Sequence, residues 1–122
     1  MIEKIPLLVY EDIMLNKGYS LDGVFIGFQR HFGFIEDNPR VKELFLEFLT
    51  DLMYKGEMKL YSYDENNFLK GSVEEQINLF RNAWPNHYDE KDPLYDINGL
   101  WWNSYAPAGA VWCYDDGGMG WT

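Results

Sequence analysis

Through the first half of the chain, apolar residues recur at intervals of three and four, the spacing of helices with one buried face. Ile5, Leu8, Val9 and Ile13 form such a stripe around Pro6, which suits a first helical turn, and Gly18 can end the segment. Ser20 can cap a second helix with Leu21, Val24, Phe25, Phe28 and Phe32 on one side and Gly33 as its stop. Gly23 and Gly27 each weaken that helix by about 1 kcal/mol relative to alanine. A third helix follows Asp37 or Asn38 as cap, with Pro39 in its first turn. Its broad stripe runs through Val41, Leu44, Phe45, Phe48, Leu49, Leu52 and Met53 to Gly56. Ser72-Val73-Glu74-Glu75 reads as a capping box opening a fourth helix, with Val73, Ile77, Phe80 and Trp84 along one face and Pro85 as the stop.

Elsewhere the period shortens. Residues 58–63 alternate loosely between apolar and polar, enough for a short strand, and Asp64-Glu65-Asn66-Asn67 makes the turn after it. Residues 86–99 form a polar, acidic connection. Two aromatic runs follow, Leu100-Trp101-Trp102 and Ala110-Val111-Trp112-Cys113-Tyr114, which read as two further strands. The predicted architecture is a mostly helical α+β fold. About four helices in residues 5–84 pack with a small antiparallel sheet whose strands lie near 58–63, 99–103 and 110–115. A winged helix has a similar element order, but Glu43, Glu47 and Asp51 offset Arg40, Lys42 and Lys55, which argues against DNA reading.

With 122 residues, 47% of them apolar, the chain is expected to form a single globular domain over residues 1–122. A formal charge of −10 repels phosphate backbones, so nucleic acid is not an expected ligand. Neither a signal-peptide pattern at the N-terminus nor a run of apolar residues long enough for a membrane helix is visible, so the expectation is a cytoplasmic protein with no membrane partner. The one cysteine, Cys113, sits in an apolar run and reads as core filler.

Candidate chemistry is sparse. His31 and His87 have no zinc-like spacing, and Asp115-Asp116-Gly117-Gly118 is turn chemistry more than an acid–base pair. The glycines at 117, 118 and 120 have no helix after them to present amides to a phosphate. No catalytic, metal or cofactor site is expected, and the chain reads as a non-enzyme.

What stands out is the C-terminal third, which holds all five tryptophans beside Asp89, Glu90, Asp92, Asp96, Asp115 and Asp116. Tryptophan is enriched in binding hot spots, and clustered carboxylates draw in cationic partners. Trp84 and Trp112 are the expected core tryptophans. As neighbours on a strand, Trp101 and Trp102 point to opposite sides, so unless both faces are covered one of them is exposed, while Trp121 belongs either to the core or to the contact surface. The expected partner-binding residues are Trp101, Trp102, Tyr105, Asp115, Asp116, Asp89, Glu90 and Trp121.

The stretch Trp84-Pro85-Asn86-His87-Tyr88 and the ending Ala106-Pro107-Ala108-Gly109-Ala110-Val111-Trp112, with Asp115-Asp116-Gly117 and Trp121-Thr122, resemble a family of small acidic uncharacterised bacterial proteins. The resemblance implies an immunity protein of a contact-dependent growth inhibition system, encoded beside a large secreted exoprotein whose C-terminal toxin domain it neutralises. That family carries no agreed catalytic residues. The expected function is therefore an inhibitor that binds a basic toxin surface through acidic and aromatic side chains, with its oligomeric state left open. The alternatives are a protein-binding adaptor without inhibitory role and a carbohydrate-binding protein with exposed tryptophan platforms.

Overall fold

Helix stripes and their punctuation place four helices in a computed structural model that describes residues 5–15 and 17–122: α1 (Leu7–Leu15), α2 (Leu21–Phe32), α3 (Val41–Tyr54) and α4 (Val73–Ala83). In α3 the last turn closes through Glu57 N–H to Leu52 O (2.9 Å) and Gly56 N–H to Met53 O (3.1 Å), with Gly56 at φ 74°. That pairing needs a left-handed residue, which glycine supplies without a Cβ clash. At the start of α4, Ser72 Oγ accepts from Glu75 N–H (3.1 Å) while Glu75 Oε1 accepts from Ser72 N–H (2.7 Å), completing the capping box. These bonds hold the Glu75 carboxyl below its ordinary range. Ser20 precedes α2 as expected, but its hydroxyl donates to Asp22 and not to the helix end.

The remaining elements are β1 (Met58–Ser62), β2 (Asn67–Phe68), α5 (Trp101–Ser104), β3 (Gly109–Cys113) and β4 (Met119–Trp121). They complete an α+β fold with one antiparallel sheet in the order β2-β1-β3-β4. Met58 lies opposite Trp112 and Tyr61 opposite Gly109; Val111 lies opposite Trp121. The expected strand near 58–63 is β1, and the one near 110–115 is β3. β2 and β4 are too short to show a sequence period.

The expected strand near 99–103 is a correction: this stretch is the helical turn α5. Asp96 decides it, because its carboxylate accepts from Leu100 N–H (3.0 Å) and its carbonyl from Trp101 N–H (3.1 Å). In a helical turn, neighbours are about 100° apart instead of opposed, so adjacent tryptophans can reach the same core. Trp101 and Trp102 do so, and Trp102 Nε1 donates to Ile97 O at 2.6 Å. Leu8 is a second correction: it lies on the outer side of α1 and is exposed, while Val9, Tyr10 and Ile13 face inward.

The core is dominated by aromatic rings. Phe25 lies 4.9 Å from Phe45, 5.5 Å from Trp102 and 5.7 Å from Trp84, and Trp84 lies 5.5 Å from Trp101. Edge-to-face pairs at such separations add about 0.5–1.5 kcal/mol each beyond burial. Trp84 and Trp112 are core, as expected. Trp112 Nε1 also donates to Tyr19 O (2.7 Å), tying the sheet to the loop before α2. Where α1 meets α3, Tyr10 packs on Phe48 at 4.8 Å, and burial, then the nearby Asp51 carboxylate, pushes its hydroxyl pKa up.

Candidate functional site: the outer face of the sheet

Strand alternation sends Met58, Leu60 and Ser62 of β1, and Ala110 and Trp112 of β3, toward the helices. The opposite set, Lys59, Tyr61, Val111, Phe68 and Trp121, lies on the other face by register. Among the described residues, Lys59 and Trp121 are exposed there and Tyr61 and Phe68 are half-buried. There Tyr61 is the centre of a ring cluster, 5.0 Å from Tyr63, 5.2 Å from Phe68 and 5.0 Å from Trp121, with Phe68 and Trp121 5.7 Å apart. Val111 is fully buried yet stands outside the core beneath the helices. It is the floor of a second, shallow apolar cluster roofed by these rings.

Trp121 remains 54% exposed and Tyr63 58% exposed, with Met119 beside them in β4. The rings are held in place as well as exposed. Tyr61 OH donates to Asn66 Oδ1 (2.8 Å), Tyr63 OH donates to Thr122 O (2.7 Å), and Lys59 Nζ sits 5.5 Å from the Phe68 ring centre. Asn66 takes a positive φ of 54° in the β1–β2 turn, a conformation asparagine tolerates well. At Gly109 an added Cβ would meet the Tyr63 ring at 3.4 Å, so the small residue lets that ring lie close over β3.

Because β1 and β3 run antiparallel, the β1–β2 and β3–β4 turns lie at opposite ends of this face. One carries Asp64 and Glu65, the other Asp115 and Asp116, and all four side chains are exposed. The second turn is the expected one: Tyr114 N–H bonds Gly118 O (3.0 Å), Gly117 N–H bonds Tyr114 O (2.9 Å), and Gly118 N–H bonds the Asp116 carboxylate (2.8 Å). The aromatic patch is thus bracketed by carboxylates. Beside it, Tyr63, Asp64 and Thr122 border a cavity of about 160 Å³ that Ser20, Asp22 and Asn103 also line.

Of the residues expected to bind a partner, Trp121, Asp115 and Asp116 belong to this face. Trp101 and Trp102 do not: they are 0% and 7% exposed, within the helical core. Tyr105 is exposed at the end of α5. Asp89 and Glu90 line a different cleft with Glu36, Tyr88 and Asp96. Tyr61, Tyr63 and Phe68 were not foreseen. The alternation at 58–63 already placed Lys59, Tyr61 and Tyr63 on one side, which was the available signal.

The remaining candidates take local roles. His31 Nε2 lies 2.9 Å from Asp12, and His87 stacks on Tyr95 at 3.8 Å with its Nδ1 2.8 Å from Asn86 Oδ1. Among the described residues, no three His, Cys, Asp or Glu side chains converge as a metal ion would require, and no helix is long and apolar enough to cross a membrane. Cys113 is half-buried, and its carbonyl accepts from Lys17 Nζ, which also pairs with Glu57 at 2.6 Å.

No curated protein matches the chain. Among solved structures it is similar to an uncharacterised protein conserved in bacteria from Neisseria meningitidis, with 26% identity, a TM-score of 0.75 and coverage of 93% of this chain and 85% of that one. Residues 53–122, which contain every strand of the sheet and more than half of the sequence, match the family described as a protein of unknown function, DUF596, and the chain belongs to that family.

Proposed function

We propose that this protein is an immunity-type inhibitor that binds and neutralises a cognate bacterial toxin domain in the cytoplasm, using the outer face of its sheet. The observation that carries this reading is the uncovered cluster of Tyr61, Tyr63, Phe68 and Trp121 between two acidic turns. Aromatic anchors surrounded by charge are what a protein hot spot requires, and their hydrogen-bonded, packed rings lose little side-chain freedom on binding. Tyr61 meets both Phe68 and Trp121 at 84°, so the patch is ridged and offers no flat pair of ring faces to a sugar.

Charge completes the reading. A surface at −10 steers a basic partner and raises association above the roughly 10⁵ to 10⁶ M⁻¹s⁻¹ of unsteered docking. A toxin that cleaves nucleic acid presents such a basic cleft. The test is growth of bacteria expressing the C-terminal domain of the large exoprotein encoded beside this gene, with and without this chain. Rescue of growth, co-purification and an association rate that falls as salt rises are expected. Arrested growth despite co-expression, or a response to sugars in tryptophan fluorescence, would overturn the proposal.

A further inference from the structure

We propose that a second copy of this chain docks on the outer face of α1 and α2, away from the sheet, to form a reversible two-fold dimer. Leu8, Glu11 and Leu15 follow one another at intervals of three and four along α1 and form a single ridge, with Leu8 69% and Leu15 84% exposed. Soluble surfaces carry single exposed leucines without consequence, but two leucines flanking a glutamate on one ridge of a helix that also buries Val9, Tyr10 and Ile13 make a contact element of mixed chemistry. Next to the ridge lies a hollow of about 370 Å³, lined by Asp12, Tyr19, Gly23, Ile26, Gly27 and Arg30. Its floor is bare helix: a Cβ on Gly27 would meet nothing within 4 Å. A ridge and a groove side by side on one face are complementary to themselves under a two-fold axis, each copy placing its ridge in the other's hollow.

Charge selects a copy over other occupants. The chain as a whole carries −10, yet this face holds both signs of charge, with Glu11 on the ridge of α1 and Arg30 of α2 lining the hollow. Asp12 and His31 pair within the chain at 2.9 Å. Glu11 and Arg30 have no ion-pair partner among the described residues. Seating the ridge in the hollow brings Glu11 of each copy to Arg30 of the other, so the contact is made twice. The helices have nine and 12 residues, about 14 and 18 Å at 1.5 Å per residue. Two such helices side by side, about 10 Å apart, make a face of roughly 18 by 20 Å, under half of the roughly 800 Å² per partner of standard interfaces, which makes the dimer a weak, concentration-dependent one.

Sedimentation velocity of the full chain, from low micromolar to submillimolar concentration, tests this. The sedimentation coefficient is expected to climb with concentration toward the dimer value. Gly27→Leu, whose Cβ enters open space in the hollow, and Leu8→Glu with Leu15→Glu, which alters only exposed positions, are each expected to hold it at the monomer value while thermal melts remain cooperative. Arg30→Glu is expected to abolish dimerisation, and Arg30→Glu combined with Glu11→Arg to restore it. A monomer at every concentration overturns the proposal. So does a dimer indifferent to Gly27→Leu and Arg30→Glu, or one lost instead through Trp121→Ala, which would place the contact on the sheet. The toxin-rescue experiment reads the sheet face, so either proposal can fail alone.

Discussion

The sheet face and the α1–α2 face both expose apolar side chains, but they do so in opposite ways. On the sheet the exposed groups are aromatic, lean on one another across three strands and lie between two acidic turns. On the helices they are leucines standing apart on a ridge beside an open groove, with Glu11 on the ridge and Arg30 in the groove. A rigid aromatic patch in a negative field suits a basic stranger; a ridge and groove that carry opposite charges at Glu11 and Arg30 suit a copy. Exposed apolar area alone therefore says little about a partner until its shape and surrounding charge are read with it.

The sharpest way to break the comparison is to separate tryptophans that look alike in sequence. Trp102→Ala, deep among Phe25, Phe45 and Phe80, is expected to cost about 3–5 kcal/mol in denaturant titrations, as large core truncations do. Trp121→Ala is expected to leave stability within about 1 kcal/mol but to weaken toxin binding about 30-fold or more in calorimetry, the scale of a hot-spot residue. Comparable losses of stability in the two variants would dissolve the distinction between core and contact face. On the other side of the molecule, Gly27→Ala is expected to raise stability by about 0.5–1 kcal/mol through helix propensity while weakening the dimer, with toxin binding unchanged.

The smallest effect is a control for the open Glu11 and Arg30 charges. Arg81 clamps Glu43 through Nε (3.0 Å) and Nη2 (2.7 Å), joining α4 to α3 within the fold, and this hydrogen bonding holds the Glu43 carboxyl below its ordinary range. A depressed carboxyl contributes stability above its unfolded pKa and loses it as pH falls through the folded one. Both groups are partly exposed, so Glu43→Gln is expected to cost only about 0.5 kcal/mol at neutral pH. The difference from the parent protein should vanish below the carboxylate range in melts followed against pH.

The four longer helices were legible in the sequence because each carries its stripe and its punctuation close together: Gly56 for α3, Ser72 and Glu75 for α4. The sheet was only half legible. β1 and β3 have enough length to show a pattern, whereas β2 has two residues and β4 three, and only pairing with their neighbours defines them. Trp101 and Trp102 misled because a pair of neighbouring aromatics reads equally as strand or as helical turn. Asp96, five and six residues before them, settles the matter through a hydrogen bond that composition does not announce. The acidic turn at 115–118 was readable from its residues. That Tyr61 and Trp121 would meet was not, since β3 lies between their strands and the small Gly109 and Val111 on this face leave room for the rings to meet above it.

The position of Trp121 has an optical consequence. Four of the five tryptophans are buried, so their emission belongs to an apolar environment, and only Trp121 has its ring half in water over Val111. The red, quencher-accessible part of the protein's fluorescence therefore comes from one residue at the centre of the proposed contact. Shielding by a bound partner would show as loss of quenching in that component alone, whereas contact on α1 and α2 would leave it unaltered. The chain carries its own reporter of which face is occupied.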